Sequence, residues 1–173
     1  MALNKDDLCT AIIDGVKAFP DGGAMAMQAL GKAIEDYLCD NTVCMYGWVG
    51  VNPSGVADPI VTFKAELKPS GTPFVCTPPD FNTFIVALST FLKGIIIQAP
   101  SDFTIPPLNN PAGIFTAVQV GELEDPEDVD KAMKSAYGEI VQGILDGWKS
   151  YFMPATAGSH SAFTGSATLV SVS

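Results

Sequence analysis

The sequence predicts an α+β fold in which amphipathic helices pack against antiparallel β-hairpins. Three observations carry this. Apolar residues recur at helical spacing in AMQALGKAIEDYL, Ala26–Leu38. Apolar and polar residues alternate in PIVTFKAEL, Pro59–Leu67, as on a strand with one buried face. Between that segment and the β-branched, aromatic run TVCMYGWVGV lies a turn signal, Asn52-Pro53-Ser54-Gly55.

The elements follow in order. Asn4-Lys5-Asp6-Asp7 reads as a helix N-cap with an acid at the third helical position. Leu8, Ile12, Val16 and Phe19 then recur at helical spacing, and Pro20-Asp21-Gly22-Gly23 ends this first helix. The second helix runs from about Ala24 to Cys39. Met27, Leu30, Ile34, Tyr37 and Leu38 form its apolar face, with Gln28, Lys32, Glu35 and Asp36 opposite. A β-hairpin is expected from Thr42 to Leu67, with Val61, Phe63, Ala65 and Leu67 on one face and Thr62, Lys64 and Glu66 on the other. Lys68–Pro79, with Pro69, Gly71, Pro73, Pro78 and Pro79, reads as a loop.

A third helix is expected from Asp80 to Gln98. Phe84, Leu88, Phe91, Leu92 and Ile95 mark one face, and Ile85, Val86, Ile96 and Ile97 spill around it. A helix this apolar is central to a core or lies at a subunit interface. Ala99–Gly113 reads as irregular, and Ile114–Gly121 is ambiguous between strand and short helix. The last helix has an N-cap at Asp125, Pro126 at its first position, and Glu127 and Asp128 at its positive dipole end. Val129, Met133, Tyr137, Ile140, Ile144, Trp148 and Tyr151 track its apolar face. Ala162–Val172 ends the chain as a strand, with no hairpin partner evident before it because Pro154 lacks a ladder donor. Such a strand either joins the Thr42–Leu67 hairpin or adds to a neighbour's sheet edge.

An imperfect internal duplication is an alternative description of the same pattern. Shifting by 106 residues aligns Leu8–Leu67 with Ile114–Ser173, with nine identities in sixty pairs. Two amphipathic helices of similar pattern account for much of that agreement.

A chain of 173 residues fits a single domain, 1–173, with pseudo-repeats 8–67 and 114–173 as the alternative division. Hydrophobic residues make up 47% and charged residues 16%, and mean hydropathy is positive. Low charge density of this kind suits a subunit that hides apolar surface in an oligomer. The net charge is −10, and all nine basic residues are lysines. The absence of arginine argues against sequence-specific nucleic-acid recognition and excludes an arginine clamp on an anionic substrate. Acidic surfaces still suit a passage for DNA, since repulsion prevents sticking. The start MALNKDDL lacks the pattern of a signal peptide. Phe84–Ile97 is too short to span a bilayer and carries Lys93, so no membrane insertion is expected.

The chemistry-bearing residues form no recognisable constellation, and no catalytic, cofactor or metal site is assigned. Cys39 and Cys44 lack a second closely spaced pair for zinc, so Cys9, Cys39, Cys44 and Cys76 are expected as thiols, the buried state being the default. His160, in GSHS, reads as an exposed loop residue because no G-x-S-x-G elbow accompanies it. The acidic run ELEDPEDVD, Glu122–Asp130, lacks the EF-hand glycine and terminal glutamate, and helix capping explains it. VGVNPSG lacks the lysine of a phosphate loop. Trp48 and Trp148 fit core packing or an interface anchor.

MALNKDDLCTAIID, then AMQALGKAIEDYLCDNTV, then a Gly/Pro-punctuated strand pair resembles the small virion structural proteins encoded among tailed-phage morphogenesis genes. The resemblance covers Met1–Leu67 and transfers no functional residue. It implies assembly rather than catalysis. The expectation is a non-enzymatic structural subunit of a tail, neck or baseplate, located in the virion and, during assembly, in the host cytoplasm. Its partners would be further copies of itself and other virion structural proteins. A capsid decoration protein is the alternative within that class. An assembly chaperone or adaptor, or a carboxylate-dependent enzyme, is the alternative outside it. The expected contact residues are Trp48, Phe84, Leu88, Phe91, Ile95, Trp148, Leu169, Val170 and Val172.

Overall fold

The computed structural model describes residues 3–57, 62–76, 81–105, 141–148 and 156–173. Helices and one antiparallel sheet are built as α1 (Lys5–Lys17), α2 (Gly23–Asn41), β1 (Cys44–Val51), β2 (Thr62–Lys68), α3 (Phe81–Leu92), β3 (Ile96–Gln98) and β4 (Phe103–Thr104). A helical segment, α4 (141–148), precedes β5 (Thr156–His160) and β6 (Thr164–Val172). The six strands lie in the order β3-β2-β1-β6-β5-β4. The fold is α+β, as the sequence predicts.

α1 begins where its cap demands. Asn4 Oδ1 accepts from the amides of Asp6 at 2.8 Å and Asp7 at 3.4 Å. The amide of Asn4 itself donates to Tyr37 Oη at 2.7 Å, and that hydroxyl donates to the Asn4 carbonyl at 2.9 Å. One tyrosine of α2 therefore completes the cap of α1. The helix ends at Lys17, short of Phe19, and buries Leu8, Cys9, Ile12 and Ile13.

α2 buries Ile34, Tyr37 and Leu38 as expected, but Glu35 departs from its expected polar face. Glu35 is 3% exposed, and its Oε1 accepts from the Ser70 amide at 2.8 Å. The loop after β2 lies against this side of the helix. Phe74 rests on Gly31 so closely that a Cβ there would collide with its ring.

The expected hairpin is present. β1 and β2 pair antiparallel, with Cys44 opposite Ala65 and Tyr46 opposite Phe63. Phe63, Ala65 and Leu67 are buried, while Thr62, Lys64 and Glu66 are exposed. At the turn, Asn52 Oδ1 accepts from Ser54 and Val56, and Gly55 takes a φ of 81° that suits glycine.

The third helix is shorter than expected. It stops at Leu92, and the Gly94 amide turns back to the Phe91 carbonyl. Ile96 and Ile97, expected on the helix, belong to β3, which pairs with β2 through Leu67–Ile97. A glycine followed by three β-branched residues favours extended backbone, and β2 supplies the partner. β4 is a two-residue strand inside the stretch expected to be irregular. The ambiguous segment Ile114–Gly121, the acidic run Glu122–Asp130 and the start of the last helix lie outside the described residues. So does much of the second arm of the 106-residue alignment. In α4, Val141, Ile144, Leu145 and Trp148 are buried.

The C-terminal strand joins its own subunit. β6 pairs with β1 from Val51–Thr164 to Cys44–Val172, with a β-bulge opposite Met45 and Tyr46. Its other edge is taken by β5. The expectation of no preceding hairpin partner is thus corrected: Thr156–His160 supplies one, because neighbours on both sides satisfy its backbone despite its small residues.

Candidate interaction surface

Strand register sorts the side chains onto two faces. One face carries Cys44, Tyr46, Trp48, Phe63, Ala65, Leu67, Ile97, Phe103 and Ala167, all buried in the core shared with the helices. Aromatic rings dominate its β1–β4 side. Tyr46 stacks on Phe63 at 5.5 Å, Phe63 on Phe103 at 4.4 Å, and Trp48 meets Phe103 edge-on at 5.3 Å. His160 completes this group, 4.6 Å from Phe103 and 4.8 Å from Phe163 between ring centroids. It ends β5 and is half-buried, not an exposed loop residue. Its Nδ1 accepts from the Ala162 amide at 3.0 Å, which ties the ring to the β5–β6 turn.

The two tryptophans are core residues of different polarity. Trp148 is fully buried, and its Nε1 donates to Thr42 Oγ1 at 3.0 Å, joining α4 to the start of β1. Trp48 is 4% exposed, and among the described residues its Nε1 meets no hydrogen-bond partner; nor does the hydroxyl of Tyr46, two residues before it.

Cys9, Cys39 and Cys44 are buried, and Cys76 is partly exposed. Burial, reinforced by the Glu35 and Asp40 carboxylates, pushes the Cys39 thiol up to about 12. Burial also pushes Cys44 to about 12. Cys76 is shifted upward by burial as well. None of the four is in a disulfide. Among the described residues no three His, Cys, Asp or Glu side chains gather as a metal site. Among the same residues no helix is long and apolar enough to cross a membrane.

Among the described residues, none covers the second face of the sheet. Thr62, Lys64, Glu66 and Lys68 of β2 are exposed there, as are Val49 and Val51 of β1. Thr164, Ser166, Thr168 and Ser171 continue it on β6, and Ile96 and Gln98 on β3. Val49 is 78% exposed and Ile96 54%. β-Hydroxyl and branched side chains make up most of this surface, and its longer side chains are Lys64, Glu66 and Lys68 on β2 and Gln98 on β3.

Of the nine residues expected at contacts, Trp48, Phe84, Leu88, Ile95 and Trp148 lie in the subunit's own core. Phe91, Leu169 and Val172 are partly buried against it. Val170, lifted out of the ladder by the bulge, is the exposed member of the set. The uncovered face instead presents Val49, Lys64, Lys68 and Ile96, which the expectation omits although the β2 alternation already points Lys64 outward. Compared with protein-family models, with curated proteins and with solved structures, the chain finds no match in any of the three.

Proposed function

We propose that the chain is a non-enzymatic structural subunit that acts by symmetric association with copies of itself, of the kind used in the tail, neck or baseplate of tailed-phage virions. The uncovered six-stranded face carries this reading. It is of mixed polarity, with branched apolar residues such as Val49 and Ile96 exposed beside threonines, serines and the charged side chains of β2. Non-obligate interfaces are no more apolar than the surface around them, so this composition suits one. The resemblance of Met1–Leu67 to small virion proteins supplies the setting.

The short edges agree with association through a face. β3 has three residues and β4 two, which leaves little ladder for another chain to extend. Quantitative mass spectrometry of purified particles tests the reading. The chain should be present in fixed stoichiometry with the other structural proteins. Its presence during assembly and absence from finished particles would point instead to an assembly chaperone and overturn the proposal.

A further inference from the structure

We propose that the uncovered sheet face is one half of a head-to-tail contact, and that its occupant is the acidic α1–α2 surface of a second copy of this chain. This rests on the structural-subunit reading and adds which two surfaces meet.

Charge is unevenly divided between the two surfaces. Across the strands, the charged side chains of the uncovered face are Lys64, Glu66 and Lys68, all on β2. The chain as a whole carries −10. From Lys5 to Asn41 there are seven acids and three lysines. Glu35 is buried and Asp36 pairs with Lys32 at 2.6 Å, which leaves Asp6, Asp7, Asp14, Asp21 and Asp40 exposed. Two acidic surfaces repel each other. Two sheet faces meeting about a dyad would set a net positive face, two lysines to one glutamate, against itself. The lysine-bearing sheet against the acidic helices is the arrangement with opposite charges facing.

Topology then makes the contact propagate. Among the described residues the helices pack on one face of the sheet and none packs on the other, so the two surfaces lie on opposite sides of that layer pair. A contact between unlike surfaces is heterologous, and repeating it yields a ring if the rotation closes or an open stack if it does not.

The test is a charge swap on the full chain, followed by sedimentation velocity with circular dichroism as the folding control. Lys64→Glu/Lys68→Glu alone should weaken association by about tenfold or more, and Asp14→Lys/Asp40→Lys alone likewise. Asp14 and Asp40 lie in the last turns of their helices, where a lysine suits the helix dipole, so folding is retained. An equimolar mixture of the two variants should reassemble, since each then meets an opposite charge on both sides. Full association of either variant alone, or no recovery on mixing, would overturn the head-to-tail contact while wild-type oligomers upheld the structural role. A wild-type chain that stays monomeric would overturn both.

Discussion

Single residues decide how the two layers hold together, and the tryptophans show it best. Both are buried, but Trp148 donates to Thr42, whereas Trp48 meets no hydrogen-bond partner among the described residues. Replacing Trp148 by phenylalanine leaves the hydroxyl of Thr42, itself 5% exposed, without its donor. That adds about 1–3 kcal/mol to the packing loss. Trp48→Phe removes an indole N–H that was already unsatisfied, so it should be the milder of the two in urea unfolding. Equal losses would show that the Trp148–Thr42 bond contributes nothing. The buried thiols act at the same scale through protons. An unfolded thiol titrates near its ordinary value of 9.0, whereas folded Cys39 and Cys44 titrate at about 12. Their contribution is therefore complete below pH 9 and is lost as pH rises towards 12. Unfolding midpoints should fall between pH 9 and 10.5, and less steeply in the Cys39→Ala/Cys44→Ala variant. An identical slope in that variant would contradict this account of the thiols.

Elements depend on the ladder formed by β1 and β6. Gly165 faces Gly50 across that ladder, and a Cβ on Gly165 would press into the Val49 carbonyl. Backbone cannot yield as a side chain tip does, so Gly165→Ala should cost about 2 kcal/mol or more, read from denaturant midpoints. An unchanged midpoint would mean that the strands separate more easily than the register implies. Because β6 is paired along both edges, deleting Ala162–Ser173 should unfold the subunit, as judged by loss of cooperative melting. A cooperative, folded remainder would show that the sheet survives without its central pair. This level also shows what could be read in advance. The β1–β2 hairpin was legible because period-two alternation and an Asn-Pro-Ser-Gly turn agree. β3 was not, because Ile95 falls in helical phase with Leu88, Phe91 and Leu92 of α3, and in the sequence that phase outweighs the Gly94 break. β5 was hidden because Thr156-Ala157-Gly158-Ser159-His160 has little strand character, and its conformation is imposed by β6 and β4. The burial of Glu35 depends on Ser70, 35 residues away, which no local pattern reveals.

At the scale of the whole molecule, the subunit has two unlike sides. Helices with exposed aspartates form one; a sheet face with two lysines and one glutamate forms the other. The sequence predicted which β2 residues point outward, but not that six strands would extend that face, since their order follows from β6 inserting between β1 and β5. Homotypic association is the claim on which the functional reading stands. Sedimentation velocity of the purified wild-type chain over a hundredfold range of concentration tests it most directly. Species heavier than the 18.2 kDa protomer are expected, growing with concentration and weakening as salt screens the lysine–aspartate attraction. A single protomer-sized boundary at every concentration and salt would contradict it.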